Sequence, residues 1–133
     1  MPGGPGPTGF AAFLAVKYVG YSLAGRVLNY AYNLPVHSAW KVGGVRTAIG
    51  LGAGAAVGAA ALFIHMPGWS FFGGLIPIRV LEWGLLLRLY YESRFLGTGR
   101  AWRWSAAGVG WSFVLDAIGI GAALVVPGGF WVC

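Results

Sequence analysis

Lys17, Arg79, Glu82 and Asp116 are the residues of this chain whose types and settings could do chemistry. Each stands inside a long hydrophobic run, where a charge is expensive and marks an ion path, a proton relay or a pairing site. Arg79 and Glu82 are three apart, on one helical face and close enough to pair. Pro77 precedes Glu82 by about one turn, where a span can bend. Carboxylates at mid-membrane beside a titratable lysine suit proton or ion handling. The same four groups equally suit a static lock, because removing one member of a buried ion cluster costs about 3–5 kcal/mol. Arg79 is the natural holder of both acids, since its fork of donors can serve two carboxylates and keeps its charge when buried.

Other chemistries lack their residues. The sequence has no Ser/His/Asp arrangement, no phosphate loop and no metal-ligand spacing. His37 reads as a surface-loop residue, and His65 falls at the opposite end of the next span, so the two do not share a metal or haem. Cys133, the single cysteine, is the last residue; it permits no intrachain disulfide and is not four from the end, as prenylation requires. No enzyme activity, catalytic residue, metal or cofactor is expected.

The elements that would carry the four charges are membrane spans. The chain has 133 residues, 58% hydrophobic and 9% charged, with mean hydropathy +0.73. A soluble domain carries about 25% charged residues, so the bilayer is the expected solvent and partner. Net charge +6 and a pI near 10 do not point to nucleic acid, because the basic residues flank hydrophobic runs. Residues 1–8 form a Pro/Gly-rich lead-in without the basic region of a signal peptide. The runs at about 9–32, 47–65, 71–92 and 106–126 are each long enough to cross roughly 30 Å of hydrocarbon. Asn33 with Pro35, the MPGWS turn at 66–70, and Pro127 with Gly128 separate or end them. The fold expected is an all-α, four-span helical bundle forming one domain over 9–133.

The loops set its orientation. Lys41, Arg46, Arg94, Arg100 and Arg103 fall on one side and no Lys or Arg on the other. The positive-inside rule then puts both termini on the non-cytoplasmic side, in a bacterial inner membrane or an organelle membrane. Counted at 1.5 Å per residue from each span's midpoint, Glu82 and Asp116 fall near the centre. Lys17 and Arg79 fall about 4–5 Å outward, and Arg26 and Arg88 about 8–10 Å inward, within snorkelling reach. Two further features suggest contacts. Gly50, Gly54 and Gly58 form GxxxGxxxG, a face on which another helix can approach closely. Arg94, Arg100 and Arg103, with Trp102 and Trp104, form an interfacial loop that suits an anionic lipid headgroup.

Four short spans with a central acid loosely resemble small multidrug-resistance exporters, whose acid is in the first span, where this chain has Lys17. The run FFGGL at 71–75 is similar to the GGL of fluoride-channel proteins, followed here by IPIRVLE. The similarity covers about five residues and carries over no site. Two functions fit these features. One is a small integral subunit or scaffold, joined to other membrane subunits or to copies of itself. The alternative is a small oligomeric ion- or proton-coupled transporter or channel using Glu82 and Asp116.

Overall fold

The computed structural model describes residues 7–33, 38–65 and 68–125. These form four helices and, among the described residues, no strand: α1 (Pro7–Ala31), α2 (Ala39–Ile64), α3 (Gly68–Tyr90) and α4 (Gly99–Val125). Each helix packs on its neighbour in the chain, and α1 also packs on α4, which closes the ring. Residues 1–6 of the expected 1–8 lead-in, Pro35, His37, Pro67, Pro127, Gly128 and Cys133 lie outside the described residues, and residues 7–8 of the lead-in instead begin α1.

Local signals place the ends. Asn33 takes a left-handed φ of 50° just past α1, a backbone asparagine tolerates well at a helix end. Thr98 caps α4: its Oγ1 accepts from Ala101 N at 3.0 Å, and its carbonyl accepts from Trp102 N. All four helices start before their hydrophobic runs, α2 and α4 by about two turns. α2 begins at Ala39 rather than near 47, and α4 at Gly99 rather than near 106. Hydropathy marks where apolar residues begin, but nothing between Ala39 and Arg46 breaks a helix except the pair Gly43–Gly44.

Gly43 is kept for packing. A β-carbon there would stand 2.2 Å from Ser22 Oγ and 2.6 Å from Ser22 N, so α1 and α2 meet backbone to backbone at this level. Gly20 admits Leu115 and Gly108 admits the Trp83 ring in the same way. Around these contacts sit Tyr21, Leu28, Val42, Trp83, Leu86, Leu87 and Leu115, all buried.

The second half of α2 has no such neighbours. No residue from Leu51 to Ala60 is buried, and Leu62, Phe63 and Ile64 are exposed. Among the described residues α2 is the one helix long and apolar enough to cross a membrane by length and composition, and none of its apolar window is buried within the molecule.

Candidate functional site: a buried charge network

Three of the four expected residues come together. Asp116, on α4, is 4% exposed and bonds both Lys17 on α1 and Arg79 on α3. Its Oδ1 takes the lysine and its Oδ2 the guanidinium, so one carboxylate ties three helices. Arg79 also lies over the Phe113 ring, 4.3 Å from its centroid, and Lys17 Nζ donates to Tyr21 Oη at 3.4 Å.

Glu82 does not join them. Its carboxylate accepts from Arg46 Nη2 at 2.6 Å, across the α2–α3 contact. The expected Arg79–Glu82 pair on one helix face is thus replaced by two pairings between helices. Three residues apart allows contact, but a helix reaching a partner across the bundle satisfies the charge and fixes packing together.

Arg46 was expected in a headgroup loop. It is instead among the most buried side chains, 1% exposed. The early start of α2 carries it inward, and its guanidinium packs over Tyr21 at 4.6 Å and Trp83 at 5.0 Å. These aromatic faces and Glu82 together offset the cost of removing the cation from water. Of the five expected loop cations, Lys41, Arg94, Arg100 and Arg103 are exposed.

Uncharged groups link the two pairings. Ser112 Oγ accepts from Tyr21 Oη at 3.2 Å and from Trp83 Nε1 at 3.1 Å. Tyr21 and Trp83 meet edge to face at 5.8 Å. Sequence reading missed Arg46, Tyr21, Trp83 and Ser112. The signal for Tyr21 was present, four residues after Lys17 and so on its helical face.

A second polar layer lies at the end of the bundle where α1 and α3 stop. Tyr91 Oη donates to Asn29 Oδ1 at 2.5 Å, Tyr32 Oη donates to Glu92 at 2.9 Å, and the two rings lie 5.2 Å apart. Arg100 donates to the Ala31 carbonyl and lies over Tyr32 at 4.1 Å. A cation at the C-terminal carbonyls of α1 is well placed against the helix dipole. Of the expected headgroup set, Arg100 therefore caps α1, and Trp104 lines an apolar cleft with Leu23, Val27, Trp83 and Trp111, about 250 Å³ in volume. Arg94, Trp102 and Arg103 are exposed.

The glycine stripe divides. A β-carbon on Gly50 would meet Arg46 Nη1 at 3.1 Å, whereas one on Gly58 would meet nothing within 4 Å. The described helices place no partner against Gly58. Among the described residues no group of three His, Cys, Asp or Glu side chains is disposed to hold a metal ion.

In comparisons with known proteins the chain matches no family model, no curated sequence and no solved structure. The reading of function therefore rests on the geometry.

Proposed function

We propose that the chain is a small integral membrane subunit or scaffold, its four helices crossing the bilayer and the distal half of α2 docking on another subunit or a second copy. The observation that carries this reading is the distribution of polarity. Lys17, Arg46, Arg79 and Asp116 are buried, while Leu23, Val27, Leu62, Phe63, Leu81, Leu89 and Ile118 stand exposed. A water-soluble bundle needs the reverse, because desolvating charge is costly and apolar area gains by burial. With lipid outside, the exposed apolar side chains meet an apolar surrounding, and the ion pairs within offset part of the cost of burying the charges.

The ion pairs support a fixed scaffold. Asp116 and Glu82 are each engaged by cations from other helices, an arrangement that fixes how the helices sit. Among the small residues of α2, Gly58 has open space beside it, and close approach by a further helix is how small-residue faces are used in membranes.

Purification in a mild detergent, with the size of the particle measured and α2 crosslinked through a Gly58→Cys variant, tests the assembly. A particle larger than the monomer, crosslinked through residue 58, is expected. The competing reading, proton- or ion-coupled transport through Glu82 and Asp116, requires flux in liposomes from the purified chain that Asp116→Asn abolishes. A monomeric particle with such flux would replace the scaffold reading by the transport one.

A further inference from the structure

The apolar cleft between α1 and α4 is tied at both ends. At one end the Trp111 indole donates from α4 to the Gly20 carbonyl of α1 at 2.9 Å. At the other, Arg100 donates to the Ala31 carbonyl and joins the start of α4 to the end of α1. The two ties are about 16 Å apart along α1. Between them Leu23 and Val27 of α1 and Trp104 and Ala107 of α4 form the walls, and the buried Trp83 ring forms the floor. Leu23, Val27 and Ala107 are exposed, so the cleft opens sideways, out of the bundle.

The lining suits an apolar occupant. The Trp83 indole already donates to Ser112 and the Trp111 indole to Gly20, and the aliphatic walls have no polar atom in their side chains. A polar ligand would find little there to replace its water. An apolar chain loses nothing by entering and gains contact with three indole rings.

Position adds a charge to the occupant. With Asp116 near the bilayer centre, a count along α4 puts Trp111 about 8 Å from it, Trp104 about 18 Å and Arg103 about 20 Å. The hydrocarbon half-thickness is about 15 Å. The cleft then lies within one leaflet, and its Trp104 end reaches the headgroups. Arg100 and Arg103 are exposed at that end. Glu92, the acid nearest them in the chain, is engaged by Tyr32 and Thr98, and the three ion pairs among the described residues leave Arg103 out. An apolar groove ending on cations complements a lipid with an apolar chain and an anionic head.

We infer that the cleft binds one anionic phospholipid, with an acyl chain between α1 and α4 and its phosphate on Arg103. The inference rests on the membrane reading above and adds a lipid partner to it.

The full chain, purified in a nonionic detergent, is given phosphatidylglycerol or phosphatidylcholine with the same acyl chains. Bound lipid is counted by native mass spectrometry, and thermal unfolding is followed in parallel. One phosphatidylglycerol per chain should be retained, about fivefold in preference to phosphatidylcholine, as one arginine at a charged surface provides. It should raise Tm by a few degrees with saturation, as a ligand of the folded state does. Ala107→Phe fills the cleft from an exposed position and keeps every charge; it should retain neither lipid. Arg103→Gln should still retain lipid but bring the two to near parity, whereas Arg94→Gln, which removes an exposed cation outside the cleft, should keep the preference. Should Ala107→Phe fail to fold, the two arginine variants decide. Unchanged retention in Ala107→Phe, or an unchanged preference in Arg103→Gln, would overturn the inference. So would a smaller particle in Ala107→Phe, because a partner's side chain and not a lipid then fills the cleft. A chain that needs detergent and yet holds no lipid removes this inference alone; one that stays dispersed in buffer without detergent removes the membrane reading and the inference with it.

Discussion

The two halves of α2 both carry glycine and alanine and have opposite surroundings. From Ala39 to Gly50 the helix holds Val42 and Arg46 in the core and sets Gly43 against the backbone of α1. From Leu51 onward no described side chain is buried. Both stretches are rich in glycine and alanine, so small residues alone do not decide where helices meet. What distinguishes the first half is a charge with a partner across the bundle and bulky neighbours, Tyr21 and Trp83, that fill the space beside it. In this chain the ion pairs locate the contact and the glycines permit it.

The largest effect should come from removing the charge that ties most helices. Asp116→Asn leaves Lys17 and Arg79 without their carboxylate and should destabilise the bundle by about 3–5 kcal/mol. Unfolding of the purified protein in mixed micelles measures it. If Asp116→Asn unfolds like wild type, the network does not hold the bundle and the contrast between the halves loses its cause.

Arg46→Leu tests the packed half directly. It strands Glu82 and should cost nearly as much, again on the order of 3–5 kcal/mol. The double variant Arg46→Leu with Glu82→Leu removes both charges and should recover a large part of the loss, with the coupling read from a double-mutant cycle. Additive losses would mean that the 2.6 Å pair contributes nothing beyond its separate side chains.

These pairings also mark how far the sequence was legible. Four helices could be read from the hydrophobic runs, and helix rise put Lys17, Arg79, Glu82 and Asp116 at one depth as a single cluster, of which the structure joins Asp116 with Lys17 and Arg79. That α2 begins at Ala39 could not, because a hydropathy run shows where apolar residues start and not where the backbone turns. Arg46 was misplaced for this reason, and Glu82 with it: once Arg46 is carried inward, a partner on the neighbouring helix takes the acid from Arg79. Helical spacing identifies which side chains can meet within one helix, whereas partners between helices depend on rotation about each axis, which the sequence does not print. Likewise the Gly50–Gly54–Gly58 stripe is visible as a pattern, but only the packing separates Gly50, against Arg46, from Gly58, beside open space.

Smaller effects sharpen the same contrast. Gly43→Ala puts a β-carbon into the backbone of Ser22, which cannot rotate away, and should cost about 1–3 kcal/mol through separation of α1 and α2. Thermal unfolding reads this, and a wild-type Tm would mean that the helices part there without penalty.

The smallest effect on folding is expected at the other end of the helix, and it is the most informative about function. Gly58→Leu adds a side chain whose β-carbon would meet nothing within 4 Å, and glycine itself makes no side-chain contact there for the isolated bundle to lose. In an exposed helix interior leucine is also favoured over glycine by up to about 1 kcal/mol, so unfolding of the monomer should be unchanged or slightly later. Gly54→Leu, one turn earlier on the same stripe, probes the centre of the expected docking face. If another helix docks there, both variants should lower the apparent particle size in mild detergent while the monomer's unfolding stays put, because a leucine holds two backbones apart where a glycine lets them touch. Thermal unfolding and particle size measured on the same samples separate the outcomes. Unchanged size in both variants would mean that the distal half of α2 faces lipid alone, and the scaffold would then need a different docking face. Lost stability in the monomer would mean that this half does pack within the bundle, and the contrast between the two halves of α2 would fail.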